Sequence, residues 1–144
     1  MEAQNYANHR RFVPMFHFVL FGIIVLTLIG SVVNLYQSLG DHQRQYSASL
    51  ILVMMICLLM LFFFCRVFPL KAQDRAIRAE ENLRHYVLTR KLLDPRLTVR
   101  QIIGLRFASD EEFVALAQRA AENNLSEEDI KKAIKNWRAD TYRV

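Results

Sequence analysis

The hydrophobic and polar positions of this chain separate into two long apolar runs and a charged remainder. Residues 12–39 and 46–65 contain no Asp, Glu, Lys or Arg. A helix rises about 1.5 Å per residue, so about 20 residues cross a hydrocarbon layer of about 30 Å. Both runs are long enough, and we predict transmembrane helices over residues 12–39 and 46–68.

The connection between these runs, residues 40–45, is short and contains Gly40 and Asp41, residue types that favour turns. A connection of this length brings two helices back antiparallel, so the spans are predicted to form a hairpin. The first apolar run is longer than the apolar region of a signal peptide, about 7–15 residues, and leads into a second span. We therefore predict no cleavage.

Basic residues near the predicted spans are distributed unevenly. Most lie outside the connection: Arg10, Arg11, Arg66, Lys71, Arg75 and Arg78. Within the connection Arg44 stands alone. Because basic flanking segments stay in the cytoplasm, residues 1–11 and the residues after the second span are predicted to be cytoplasmic, and the connection external.

Beyond Pro69 the pattern changes to that of an amphipathic helix. Apolar side chains recur there at intervals of three and four, namely Ala76, Ala79, Leu83, Tyr86 and Val87. This spacing predicts a cytoplasmic helix over residues 69–93. We expect it to prolong the second span with a kink or a break at Pro69, and to end at Asp94 and Pro95.

Residues 94–144 are predicted to form a small module of three short helices. Thr98, Ser109 and Ser126 each precede a helical stretch, and the last stretch is predicted to cover residues 127–138. The pairs Ser109/Glu112 and Ser126/Asp129 are typical of capping boxes. The apolar positions that follow are Phe113, Leu116, Ala117 and Ala120, then Ile130, Ala133, Ile134 and Trp137. The fold class is thus an all-α membrane protein.

Charge adds a preference for a lipid surface. The chain has a net charge of +5 at pH 7, and the basic excess is concentrated in residues 66–106. A basic segment next to a membrane is attracted to anionic lipid, so the bilayer is an expected partner. Nucleic-acid binding is not expected, because the candidate recognition helix begins with Glu127, Glu128 and Asp129.

Few residues offer chemistry. Cys57 and Cys65 lie two helical turns apart, too far for an intrachain disulfide, and are interpreted as small apolar residues. The histidines are scattered at positions 9, 17, 42 and 85, and none has metal-ligand spacing with another. His17 lies inside the first span, where it is either an interfacial packing residue or a contact for haem or quinone. Catalytic residues, metal ligands and a bound cofactor are not predicted.

Small and polar residues recur along one side of the first span: Gly22, Thr27, Gly30, Ser31 and Asn34. Small residues allow helices to approach closely, and Asn can hydrogen-bond across a membrane interface. Two interpretations remain open: contact with the second span of the same chain, and contact with the helix of a partner or of a second copy.

Three segments carry a resemblance to a known family: the opening MEAQNYANHRRFVP, residues 93–120 (LDPRLTVRQIIGLRFASDEEFVALAQRA), and the ending SEEDIKKAIKNWRADTYRV. The chain resembles an uncharacterised family of short two-span bacterial inner-membrane proteins of the Bacteroidetes type, a domain of unknown function. The resemblance implies an inner-membrane location and no activity, cofactor or catalytic residue.

The leading functional hypothesis is a non-enzymatic accessory or scaffold subunit that docks partners through its cytoplasmic module. The candidate partner-binding residues are Arg96, Arg100, Arg106, Asp110, Glu111, Glu112, Trp137, Asp140, Tyr142 and Arg143. Helix capping explains Asp110 to Glu112 equally well, and core packing explains Trp137. The alternative is a small subunit of a membrane redox or transport complex in which His17 contacts haem or quinone.

Overall fold

A computed structural model of the chain describes residues 4–9 and 12–140. Over these residues the chain is helical: a π-helical turn, Met15–Leu20, leads into α1 (Phe21–Gln37), followed by α2 (His42–Thr89), α3 (Val99–Leu105), α4 (Asp110–Glu122) and α5 (Glu127–Ala133). The described residues include no strand, and Ala108 and Trp137 form an isolated antiparallel bridge. The predicted all-α class is confirmed.

The helices contribute to two compact units. The first, here called the apolar unit, is Phe12–Phe68; the second, the C-terminal unit, combines the N-terminal segment with the residues from Pro69 onward. Helix α2 belongs to both, since it runs through Pro69 without interruption. The predicted alternative of a break at Pro69 is therefore wrong, because the turns on either side of the proline stay helical despite one lost hydrogen bond.

Two helices of the chain are long and apolar enough to cross a membrane. They are Met15–Gln37, with 23 residues, and His42–Thr89. The core helix of a soluble protein is mostly buried, whereas 11% of the most apolar window of each of these helices is buried. Their apolar surface is therefore directed outward, as expected of helices that meet lipid.

The few buried positions of the apolar unit recur every seven residues. They are Ile24, Ser31 and Ser38 on one side of the turn, and Ala48 and Met55 on the other. A period of seven is typical of a helix that faces one neighbouring helix. The rings of Phe16 and Phe62 stack with centroids 4.5 Å apart, which joins the start of the first helix to α2.

The turn residues behave as the sequence predicts. Gly40 has a φ of 100°, a conformation that side-chain-bearing residues rarely adopt. Asp41 caps α2, because its Oδ1 accepts hydrogen bonds from the main-chain nitrogens of Gln43 and Arg44, each at 3.2 Å. Helix α2 thus begins at His42, four residues before the predicted span.

The core of the C-terminal unit lies between α3, α4 and α5. Its largest fully buried side chains are Phe107, Phe113, Leu105 and Ile130. Helices α3 and α5 cross closely at Gly104, where an added Cβ would lie 3.1 Å from the main-chain oxygen of Glu127 and 3.2 Å from Ile130 Cγ2. The absence of a side chain at Gly104 is what permits this crossing.

The helix starts in the C-terminal unit agree with the predicted positions, but their caps differ. Thr98 and Gln101 form a complete capping box, and Ser126 Oγ accepts from the main-chain nitrogen of Asp129 at 3.1 Å. Ser109 precedes α4 without a side-chain cap bond. The predicted box at Ser109 is wrong because the Glu112 carboxylate bonds elsewhere.

Helix α5 ends at Ala133 instead of residue 138, so the predicted end is wrong. The main-chain nitrogens of Lys135 and Asn136 donate to Glu112 at 3.2 and 2.9 Å. Arg138 N then donates to the main-chain oxygen of Phe107 at 2.7 Å. These partners outside the helix draw the chain, including Trp137, into the bridge with Ala108.

Candidate functional site

Helix α2 packs on the rest of the C-terminal unit through a face that is largely polar. Ile77 and Glu81 are buried there, and the side chain of Arg84 is 10% exposed. At 100° per residue these positions share one side of the helix. The apolar positions that the sequence analysis singled out lie on another side, which leaves them outside this contact.

Arg84 is the central contact of the packed face. Its Nη1 donates to Glu81 Oε2 at 3.0 Å, its Nε to Asp110 Oδ1 at 2.6 Å, and its Nη2 to the main-chain oxygen of Ala108 at 2.7 Å. The guanidinium carbon lies 4.3 Å from the centre of the Phe113 ring. A planar guanidinium can donate hydrogen bonds in these three directions at once, whereas an ammonium on the same stem cannot.

Glu81 is a buried carboxylate held between two arginines. Its Oε2 accepts from Arg84, and its Oε1 lies 3.8 Å from Arg138 Nη1. Burial raises the pKa of Glu81, while the hydrogen bond and charge of Arg84, and the charge of Arg138, oppose that rise. The two arginines thus offset only part of the cost of burying a negative charge. We interpret this carboxylate as a structural contact of α2.

The opposite side of α2 carries exposed apolar side chains. We call Ala76, Ala79, Leu83, Tyr86 and Val87 the α2 apolar row. Leu83 is 64% exposed and Val87 63% exposed, although both lie in a highly charged helical segment. Exposed apolar side chains that cluster on one side mark interaction sites more often than isolated ones do. This row is the candidate functional surface.

A groove of about 320 Å³ lies beside the row, and it is lined by Glu80, Leu83, Arg84, Val87, Leu88 and Asp110. One wall is apolar, and the other carries the ion pair between Arg84 and Asp110. A groove of this kind suits the side chains of a second helix better than a polar small molecule, because its apolar wall offers few hydrogen bonds.

The predicted partner-binding arginines near the start of the module pair within the chain. Arg96 donates to Asp94 at 2.7 Å, and this contact lowers the pKa of Asp94 to about 2. Arg100 lies 3.5 Å from Glu127. Both arginines are exposed, and the structure does not bring them together with the other predicted residues.

Arg106, Trp137 and Asp140 do come together, around Phe107. Arg106 Nε lies 3.2 Å from Asp140 Oδ2, and its guanidinium carbon lies 4.5 Å from the Phe107 ring centre. The Trp137 ring centre is 5.0 Å from that of Phe107. Trp137 is half-buried, so core packing accounts for much of its surface. Tyr142 and Arg143 lie outside the described residues.

The three acidic residues at the start of α4 have separate surroundings. Asp110 pairs with Arg84, and Glu112 accepts from the main chain after α5. Glu111 is exposed. Two of these candidates thus make contacts that hold the unit together, and they do not form a common surface with Arg96 and Arg100.

The N-terminal segment packs on the same unit. Gln4 Oε1 accepts from the main-chain nitrogen of Asp140 at 2.7 Å. The His9 ring centre lies 5.8 Å from that of Phe107 and 5.9 Å from that of Trp137. Periodicity gave no signal for this contact, because an irregular segment of six described residues has no repeating pattern.

His17 lies beside its own preceding turn. Its Nδ1 is 3.0 Å from the main-chain oxygen of Val13, and its ring meets those of Phe12 and Phe16 edge to face. These contacts suit the interfacial packing interpretation. Within the part of the chain that the structure describes, no group of three His, Cys, Asp or Glu could hold a metal ion.

The small and polar residues of the first span divide between buried and outward positions. Ser31 is buried, whereas Thr27, Gly30 and Asn34 are exposed, and a Cβ on Gly30 would meet nothing within 4 Å. Gly22 likewise has an open Cβ position. The burial of Ser31 suits contact within the same chain, and Asn34 borders a cavity that α2 residues Ala48 and Ile51 also line.

Sequence reasoning missed Arg84, Glu81 and Gln101. Gln101 is buried and donates from Nε2 to the main-chain oxygen of Leu125 at 2.9 Å. A weak signal existed for the first two, since Glu and Arg three residues apart lie on one helix face. The acidic start of α4 offered a counter-charge, but the sequence alone does not show that α4 faces α2.

Together these features define a small, all-helical protein with two apolar helices that could span a membrane and with a compact C-terminal unit. The chain belongs to a family of unknown function, DUF6526, whose model matches residues 1–144. Comparison with curated proteins and with solved structures gave no match.

Proposed function

We propose that this chain is a non-enzymatic protein of the bacterial inner membrane that serves as an accessory or scaffold subunit. Its two apolar helices form a transmembrane hairpin, and its C-terminal unit presents the α2 apolar row to the helix of a protein partner. The observation that carries this proposal is the exposure of Leu83 and Val87, at 64% and 63%, in a segment outside the apolar unit.

Membrane insertion is supported by length and burial. The helix Met15–Gln37 has 23 residues, more than the about 20 that cross a bilayer. Its apolar side chains are largely outside the packed core of the unit. Exposing this apolar surface to water would cost about 25 cal/mol per Å². Contact with lipid would avoid that cost.

A cytoplasmic position of both ends is supported by charge and by packing. Basic residues follow the second apolar helix in number, as they do in cytoplasmic flanks. Residues 4–9 contact residues 131–140 within one unit. An even number of spans returns a chain to the side where it began, so the hairpin allows this contact.

Docking through the row is also supported by the contacts of the other candidate partner-binding residues, several of which already pair within the chain. Asp110 and Arg106 pair within the chain, and Asp140 is bonded through both its side chain and its main chain. These residues stabilise the unit itself. The row consists instead of exposed side chains whose burial would be favourable.

The test is purification from native membranes of the full chain and of Leu83→Glu. The wild-type chain is expected to stay in the membrane after alkaline extraction and to retain co-purifying protein. Leu83→Glu should stay in the membrane and lose that protein, because a charge would be buried at the contact. Leu92→Glu is the matched control, since Leu92 is 65% exposed and lies outside α2.

Two results would overturn the proposal. Release of the wild-type chain by alkaline extraction would exclude the hairpin. Equal retention of every protein partner, a differently tagged second copy included, by the wild-type chain and Leu83→Glu would exclude docking through the row.

A further inference from the structure

The α2 apolar row has the spacing of a coiled-coil seam. Ala76, Ala79, Leu83 and Tyr86 are separated by three, four and three residues, which is the alternation of a and d positions in a heptad. In this register Leu83 occupies an a position and Tyr86 a d position. The seam lies in the segment of α2 that belongs to the C-terminal unit.

The same register places the packed residues on the far side of the helix. Ile77 and Arg84 occupy b positions, and Glu81 occupies an f position, directly opposite the seam. Their contacts with the rest of the C-terminal unit would thus stay intact when another helix covers the seam. The two faces meet at one edge of the helix, where Ala76 and Glu80 line a cavity together with Arg106 and residues 138–140.

We propose that the partner on the α2 apolar row is a second copy of this chain, with its α2 parallel and in register. The inference rests on the proposed membrane location, since two copies inserted in the same orientation present their α2 helices in parallel. A symmetric pair then buries the row of each copy against the row of the other.

Charge complementarity supports this occupant. Arg75 occupies a g position and Glu80 the following e position, and in a parallel coiled coil such residues meet across the interface. Arg75 would therefore pair with Glu80 of a second copy, twice by symmetry. Both side chains are exposed, and neither has an ion pair among residues 4–9 and 12–140.

The sizes of the seam residues also suit a helix pair. Ala76 and Ala79 let two helices approach closely at the start of the segment, and Leu83 fills the space where small residues end. Tyr86 at the edge combines apolar area with a hydroxyl that can stay hydrated. The row thus offers a small cluster of complementary contacts for an identical helix.

The test is cysteine cross-linking in native membranes, in a chain whose own Cys57 and Cys65 are replaced by Ala. Leu83→Cys places a thiol on the seam, and Leu92→Cys places one outside α2 at nearly the same exposure, 64% against 65%. Mild oxidation should convert Leu83→Cys to a disulfide-linked dimer, since facing a positions lie within disulfide reach. Leu92→Cys should remain largely monomeric.

Charge variants test the register. Adding Arg75→Glu to the Leu83→Cys chain should lower the dimer yield severalfold, because it places Glu opposite Glu. Adding Glu80→Arg as well should restore the yield, because the pairs are reformed with exchanged charges. All these substitutions lie at exposed positions, and alkaline extraction checks that each variant remains in the membrane.

Absence of a Leu83→Cys dimer in chains that resist alkaline extraction would overturn the second copy as partner. If Leu83→Glu nevertheless loses a different protein, the proposed docking function stands with another occupant. If the Leu83→Cys thiol is instead shielded from a water-soluble maleimide without forming a dimer, the row lies against lipid. Equal dimer yields at positions 83 and 92 would also overturn the inference.

Discussion

Arg84 Nη2 donates to the main-chain oxygen of Ala108 at 2.7 Å. The bond joins α2 to the short segment between α3 and α4, and it ends on a fully buried residue. The same guanidinium also bonds Asp110, so one cation joins α2 both to this segment and to the start of α4.

Arg84→Lys should therefore destabilise the C-terminal unit by about 1.5–3 kcal/mol, since an ammonium cannot replace the planar arrangement of donors. Arg78→Lys is the control and should change stability by less than about 0.5 kcal/mol, because Arg78 is exposed. Unfolding can be followed by fluorescence of Trp137, the single tryptophan of the chain. Equal losses in both variants would contradict this role of Arg84.

Ser109 and Ser126 both precede a helix, but only the Ser126 side chain makes a cap hydrogen bond. Ser126→Ala should cost about 0.5–2 kcal/mol, because it removes the bond to the main-chain nitrogen of Asp129. Ser109→Ala should cost less than about 0.5 kcal/mol, since Ser109 Oγ is buried without a hydrogen-bond partner among the described residues. Chemical denaturation of each variant gives the comparison, and a larger loss for Ser109→Ala would refute the assigned caps.

The helix starts could be predicted because their determinants are local. Ser109 and Ser126 lie immediately before acidic residues, so a few neighbouring positions suffice. The end of α5 could not be predicted, because it depends on Glu112 and Phe107, which lie more than twenty residues earlier. Periodicity found the α2 apolar row but could not show that polar Arg84 marks the face that packs.

Gly104→Ala should destabilise the C-terminal unit by about 1–3 kcal/mol. The added methyl would lie 3.1 Å from the main-chain oxygen of Glu127, and this oxygen cannot move without shifting α5. Gly30→Ala is the control, because its Cβ position is open. Thermal unfolding followed through Trp137 should show a lower midpoint for Gly104→Ala alone; unchanged midpoints in both would mean that α5 adjusts freely.

The raised pKa of Glu81 gives a pH dependence with a definite sign. A buried carboxyl whose folded pKa exceeds its unfolded pKa stabilises the fold below the unfolded pKa, and this contribution is lost as pH rises through the folded pKa. Glu81→Gln should remove that part of the pH dependence. Denaturation across mildly acidic pH measures it, with Glu111→Gln as an exposed control. A contribution of Glu81 to stability that instead rises through the same pH range would contradict the raised pKa.

The contact between Gln4 and Asp140 links the N-terminal segment to the end of the described chain. Gln4→Ala should cost about 1 kcal/mol, because it removes the acceptor of the 2.7 Å bond from the Asp140 nitrogen. In a chain with Cys57 and Cys65 replaced by Ala, Gln4→Cys combined with Ala139→Cys should cross-link within one chain in native membranes, using a short bismaleimide. Asp41→Cys combined with Ala139→Cys should not, since the proposed hairpin places residue 41 on the other side of the bilayer. A cross-link from residue 41 would contradict the proposed topology, whereas the absence of one from residue 4 would contradict the contact between Gln4 and Asp140.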